Sequence, residues 1–236
     1  MQPINTCAII EKNVGRGLMN ISVGVLFGFA GLLIGFNIPC FSFKIMEYKK
    51  GLGNVIKKYG FLYSKFFQLI SCIFNGASWY FVSIKIDNLF LAFLVVLMIS
   101  TGIIIAFIDV NIRIIPNELV LVLLILGLIF QLSSYGLKSL LPAFVSMAVM
   151  MAVFISVAGF VGFGKVGAGD VKLAAAMGLS LSYPHIVTAV IIMAIVLIVF
   201  IGVGFFLKKI YMTTMLPLAP FMISGYIFSL LYLSIL

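Results

Sequence analysis

Carboxylates are scarce in this chain. Six acidic residues stand among 236, against 15 lysines and arginines, and charged residues make up only 9% of the sequence. A soluble globular domain usually carries about 25%. With 64% hydrophobic residues, a water-soluble fold of this size would leave too much apolar surface exposed. A bilayer is the matching solvent, because a spanning helix takes roughly 20 mostly apolar residues. Histidine occurs once, as His185, and the three cysteines, Cys7, Cys40 and Cys72, form no C-x-x-C pair. That excludes a conventional four-cysteine zinc site, and Cys40 and Cys72 read as small packing residues. No metal or cofactor is expected. The net charge of +9 is accompanied by no base-stacking platform, so no nucleic-acid partner is expected. A typical signal peptide is also lacking. The first long apolar run starts only near Leu18, and no small-residue cleavage site follows it.

What the chain does have is length in apolar runs. Eight segments are legible, at about 18–43, 66–84, 88–108, 118–134, 139–163, 171–182, 184–207 and 216–236. The expected fold class is therefore all-α, a polytopic transmembrane helical bundle. The sixth segment is too short to span by itself. It must extend into its neighbours or lie in a cleft lined by protein.

Eight crossings with both termini outside place Lys44, Lys49, Lys50, Lys57, Lys58, Lys65, Arg113, Lys165, Lys172, Lys208 and Lys209 on the cytoplasmic side. Lys12, Arg16, Lys85 and Lys138 fall outside. The positive-inside rule favours this orientation over its inverse. The stretch from Lys44 to Lys65 reads as a basic cytoplasmic loop, held on anionic lipid headgroups by its lysines and aromatic rings. Residues 1–87 are expected to form an N-terminal pair of membrane segments carrying that loop. Residues 88–236 form the core with the chemistry.

Of the six acidic residues, Glu11, Glu47 and Asp87 lie in polar connections among lysines. Glu118 follows Pro116 and Asn117 at the start of the fourth segment, where a carboxylate complements the positive end of a helix. Asp109 and Asp170 differ. Asp109 ends an apolar run in I-D-V-N-I-R-I-I-P-N, and Asp170 sits in G-K-V-G-A-G-D-V-K. A carboxylate at hydrocarbon is costly and marks a functional site by default. The two are separated by one out-and-back excursion of two helices, which returns the chain to the same face. Two close aspartates tend to share one proton. One can then take a proton from water while the other hydrogen-bonds a peptide carbonyl. Gly167 and Gly169 allow close approach beside Asp170, although a merely flexible glycine loop fits that spacing equally well. His185 falls on the opposite side, so histidine-dependent hydrolysis lacks support.

G-A-G-D-V-K-L resembles the G-x-G-D-x-K-L signature of the type IV prepilin peptidases, a family of GxGD-type membrane aspartyl proteases. I-D-V-N-I-R-I-I-P-N-E-L is similar to the family's first-aspartate motif, and L-P-L-A-P-F, Leu216 to Phe221, to a stretch in its last helix. The resemblance implies that Asp109 and Asp170 are the catalytic pair. It makes Gly167, Gly169 and Lys172 a supporting motif, and Arg113 and Pro116 organisers of the first-aspartate loop. It implies a prepilin-like protein substrate whose short basic leader is cut at the cytoplasmic face of the inner membrane, in a type IV pilus or type II secretion setting. Larger members carry two C-x-x-C pairs in the first cytoplasmic loop, linked to N-methylation. Here that loop has no cysteine, so the resemblance extends to the peptidase activity and not to the methyltransferase. Two other readings compete: an ion- or proton-coupled transporter, and a catalytically inactive homologue that aids assembly.

Overall fold

The computed structural model describes residues 6–50, 65–161, 167–207 and 216–234, with side chains described over 21–49, 65–159, 167–207 and 216–234. Eight α-helices lie in this part of the chain: α1 (Thr6–Lys50), α2 (Lys65–Lys85), α3 (Leu89–Ile112), α4 (Asn117–Tyr135), α5 (Leu140–Val161), α6 (Ala168–Leu181), α7 (His185–Phe206) and α8 (Ala219–Leu233). A 3₁₀ turn, Leu137–Ser139, joins α4 to α5. Six of the eight are long and apolar enough to cross a membrane, namely α1 from Ile21, α2, α3, α4, α5 and α7. The all-helical, multi-span fold expected from the apolar runs is the one observed.

The helices alternate in direction. The end of α1 meets the start of α4 through an ion pair, Lys49 Nζ to Glu118 Oε1 at 2.7 Å. At the same end Phe67, near the start of α2, packs edge-on against Phe107, near the end of α3, with ring centroids 6.4 Å apart. At the opposite end Gln131 on α4 donates to the Ser180 carbonyl on α6 at 2.8 Å. There too Ser229 on α8 donates to the carbonyl of His185, the first residue of α7.

α3 is the most enclosed spanning helix, and α7, whose side chains mostly face outward, the least. Large apolar side chains such as Leu26, Phe29, Ile198 and Phe206 lie on the outer surface, as lipid solvation requires. The two N-terminal helices join the core through buried polar groups. Asn75 Nδ2 donates to the Gly31 carbonyl on α1, Trp79 Nε1 donates to Ser100 Oγ on α3, and Ser100 Oγ donates to Asn75 Oδ1, all at 2.9–3.0 Å. Hydrocarbon offers such groups no other partner, so each must be satisfied within protein. α1 and α2 come close enough that a Cβ on Gly35 would sit 2.6 Å from the Ser71 carbonyl oxygen. Small residues at the contact let the two backbones approach.

One expectation needs correction, and one open alternative is decided. The first helix does not end at Phe43. It continues through Lys50, because Met46 is buried against Ile108 and Ile112 of α3 and Lys49 finds Glu118. Helical packing therefore claims the first turns of the expected 44–65 loop, and residues 51–64 of it lie outside the described residues. The same helix begins at Thr6, well before Leu18. The sixth segment takes the protein-lined alternative. α6 has 14 residues, about 21 Å at 1.5 Å per residue, short of the roughly 30 Å hydrocarbon core. Every residue from Leu173 to Leu181 is buried, against α4, α5 and α8.

Candidate active site

Asp109 lies in the last turn of α3. The chain must leave the helix four residues later, and it does so at Arg113 with φ 54°, ψ 42°. This left-handed conformation is unusual for a residue with a side chain. The Arg113 N–H donates back to the Asp109 carbonyl at 2.8 Å. Ile115, preceding Pro116, is biased away from helix, and Pro116 (φ −67°, ψ 125°) sets up α4, which begins at Asn117. The I-R-I-I-P-N sequence thus builds a tight turn that ends one helix and starts the next.

The Asp109 side chain is 5% exposed. Its Oδ2 accepts a hydrogen bond at 3.1 Å from the backbone N–H of Ala219, the first residue of α8. A helix start has free N–H groups and a positive dipole end, both of which favour a carboxylate. Pro220 follows immediately, a residue suited to the first helical turn.

Asp170 lies in the first turn of α6. Its Oδ2 accepts from the Gly167 N–H at 3.1 Å, and its own N–H donates to the Gly167 carbonyl at 3.0 Å. This is the carboxylate half of a capping box; glycine has no side chain to complete the other half.

Two contacts bring the aspartate loops together. Gly169 faces Ile115 so closely that a Cβ there would lie 2.9 Å from the Ile115 Cβ. Lys172 Nζ donates to Asn117 Oδ1 at 3.0 Å. Asp109 is within electrostatic reach of both Asp170 and Arg113. Every residue singled out in the two motifs, Asp109, Arg113, Pro116, Gly167, Gly169, Asp170 and Lys172, therefore lies at one end of the bundle. His185 starts α7 at the other end. Among the described residues no group of three or more His, Cys, Asp or Glu side chains could hold a metal ion. What the site offers chemically is a pair of carboxylates with backbone donors.

Three participants escaped the sequence reading. Ala219 holds Asp109 through its backbone, which leaves no residue-type signal, although Pro220 does mark a helix start. The sequence marks Ile115 and Asn117 only as parts of a motif and names no partner for either. Glu118, expected at a helix start, is in the first turn of α4 and additionally pairs with Lys49.

Fold and site together define a multi-span helical membrane protein with two carboxylates gathered at one end of the bundle. Residues 95–207, the region that holds both aspartates, match the model of the Type IV leader peptidase family. It is a family of aspartic-type leader peptidases. The match stops short of Leu216–Phe221, the third stretch of resemblance; that stretch is tied to the site by the Ala219–Asp109 hydrogen bond. No curated protein and no solved structure matches the chain.

Proposed function

We propose that this chain is a membrane-embedded aspartyl endopeptidase that removes the short basic leader of prepilin-like proteins at the cytoplasmic face of the inner membrane. The observation that carries the reading is the convergence of Asp109 and Asp170, one from each motif, at the same end of the bundle. The pair shares one proton. The ionised carboxylate takes a proton from water as the water oxygen attacks the scissile carbonyl carbon. The protonated partner hydrogen-bonds the carbonyl oxygen as charge develops on it. Collapse of the tetrahedral species returns a proton to the departing amine and restores the shared state. Neither a covalent nucleophile nor a metal is needed for this sequence of steps.

The cytoplasmic assignment rests on charge. Lys44, Lys49, Lys65, Arg113 and Lys172 belong to the aspartate end, whereas Lys85 and Lys138 belong to the other. Cytoplasmic ends carry the excess of basic residues. A transporter would place its working carboxylates nearer the bilayer midplane; these two terminate or begin helices.

The test is cleavage of a prepilin-like substrate, read as a gel shift, by membranes or detergent extracts containing the protein and no energy source. Cleavage by the native chain, lost on Asp109→Asn and on Asp170→Asn, is the expected result. A native chain that inserts normally yet leaves every prepilin-like substrate intact would favour the inactive-homologue reading instead.

A further inference from the structure

Each aspartate has its own anchor, but neither anchor fixes the distance between them. Asp109 is bonded to the start of α8, and Asp170 is bonded within its own loop to Gly167. Of the contacts that cross from one motif to the other, Gly169 against Ile115 is steric. It sets how near the loops can come and does nothing to stop them parting. The Lys172–Asn117 hydrogen bond, 3.0 Å long, does the opposite. It joins the second residue after Asp170 to the first residue of α4, across the turn that follows Asp109.

We propose that Lys172 and Asn117 form a latch that holds the two aspartate loops in register, making both of them positioning residues for the reaction. Lys172 acts through Asn117 and is not the counter-ion of an aspartate. Its bond runs to an amide oxygen, and among the described residues the ion pair formed is Lys49 with Glu118. That pair fastens the neighbouring residue of the same helical turn to α1. The first turn of α4 is therefore held from two sides, by α6 through Asn117 and by α1 through Glu118. Both latch side chains are exposed, so removing the bond leaves the apolar packing of the bundle untouched. Geometry at a reacting centre is demanding, and a displacement of about 1 Å can cost about 100-fold in rate.

This inference rests on the peptidase reading, and the experiment separates the two. The variants are Lys172→Met, which keeps the stem and removes the donor, Asn117→Leu, which removes the acceptor, the double variant, and the exchanged pair Asn117→Lys with Lys172→Asn. Cleavage kinetics are measured beside melting temperature. The latch predicts that each single variant lowers kcat by about 10-fold or more with little change in KM or melting temperature. The double variant falls no further than the singles, because one interaction is lost in each. The exchanged pair recovers part of the lost rate, and Asn117→Asp, which keeps the acceptor, is faster than Asn117→Leu. Losses that multiply in the double variant overturn the latch, as does a fall in melting temperature that accounts for the lost rate. A fully active Lys172→Met beside dead Asp109→Asn and Asp170→Asn refutes the latch and leaves the peptidase reading standing. Active aspartate variants remove the reading on which it rests.

Discussion

Asp109 is held by a backbone group 110 residues further along the chain, Asp170 by one three residues before it. The first attachment is tertiary. It exists only when α8 packs against α3 with its first N–H aimed at the carboxylate. The second is local, a property of the G-A-G-D loop and of the helix that starts there. The first aspartate is buried and the second half-buried. A site assembled in this way has one carboxylate fixed by the fold and one presented by a loop. Disturbance of the bundle should act first on Asp109, and disturbance of the 167–170 loop first on Asp170.

The largest expected effect erases that difference. If the two carboxylates share a proton, they act as a unit despite their different anchors. Asp109→Asn and Asp170→Asn should each lower kcat by at least about 100-fold, the scale of acid–base catalysis. The double variant should be little worse than either single one, because residues acting as a unit are far from additive. Single-turnover cleavage of a prepilin-like substrate gives the three rates. Losses that multiply would mean separate roles, and near-normal cleavage by either single variant would reject the pair.

The same contrast explains what could be read from the sequence. The all-helical, multi-span class was legible because apolar runs of spanning length have no competing explanation in a chain with so few charges, although six of the eight expected segments are long enough to span. Asp170 stood out as a lone carboxylate in a glycine-rich loop, and its hydrogen bonds stay within that loop; the packing of Gly169 against Ile115 does not, and nothing local announces it. Asp109 stood out as a lone carboxylate ending an apolar run, but its partner did not. The donor is a main-chain N–H at an alanine, and nothing in the identity of Ala219 announces it. The extension of α1 through Lys50 was missed for a related reason. A lysine-rich stretch reads as a loop until Met46 is seen to have Ile108 and Ile112 to cover it. The short sixth helix was ambiguous by length alone and was decided by its burial among α4, α5 and α8.

A smaller effect sharpens the contrast at the point where the two loops touch. Gly169→Ala would place a Cβ 2.9 Å from the Ile115 Cβ, well inside contact, so one loop must move away from the other. Cleavage should fall by about 10-fold or more while the protein still inserts. Ile115→Gly in the same chain, which removes that Cβ, should recover part of the rate by making room. Gly167→Ala is the internal comparison. Its Cβ would approach the Asp170 Oδ2 at 3.1 Å, which perturbs only the local anchor. Equal losses from the two glycine variants, with no rescue by Ile115→Gly, would show that the loops do not depend on one another.

Smaller again is the effect expected at Arg113, where stability and activity should move in opposite directions. Its left-handed φ of 54° costs a residue with a side chain about 1–2 kcal/mol, a strain that glycine lacks. Arg113→Gly should therefore melt at a higher temperature. It should also cleave a few-fold more slowly, because the guanidinium within electrostatic reach of Asp109 is gone. Arg113→Lys keeps a positive charge and should cleave at a rate closer to the native one without the gain in stability. If Arg113→Gly is both more stable and fully active, the arginine is there for the turn alone.

The smallest effect belongs to Glu118, which lies one residue beyond Asn117 and is the control for the whole site. It is a carboxylate at the same end of the bundle, yet it has neither of the anchors that distinguish the two aspartates. Its side chain is 64% exposed and already paired with Lys49 at 2.7 Å. That partner is the Lys49 ammonium at the end of α1, and among the described residues no contact joins Glu118 to either aspartate loop's anchor. Exposed ion pairs contribute little and are screened by salt. Glu118→Gln should therefore keep most of its cleavage activity in the gel-shift assay, and raising the ionic strength should narrow what difference remains from the native chain. The first-turn position in α4 is retained by glutamine, and so is the neighbouring bond between Asn117 and Lys172. If Glu118→Gln were instead as inactive as Asp109→Asn, the proton would have to pass through Glu118, and the working pair would need to be reassigned among the three carboxylates.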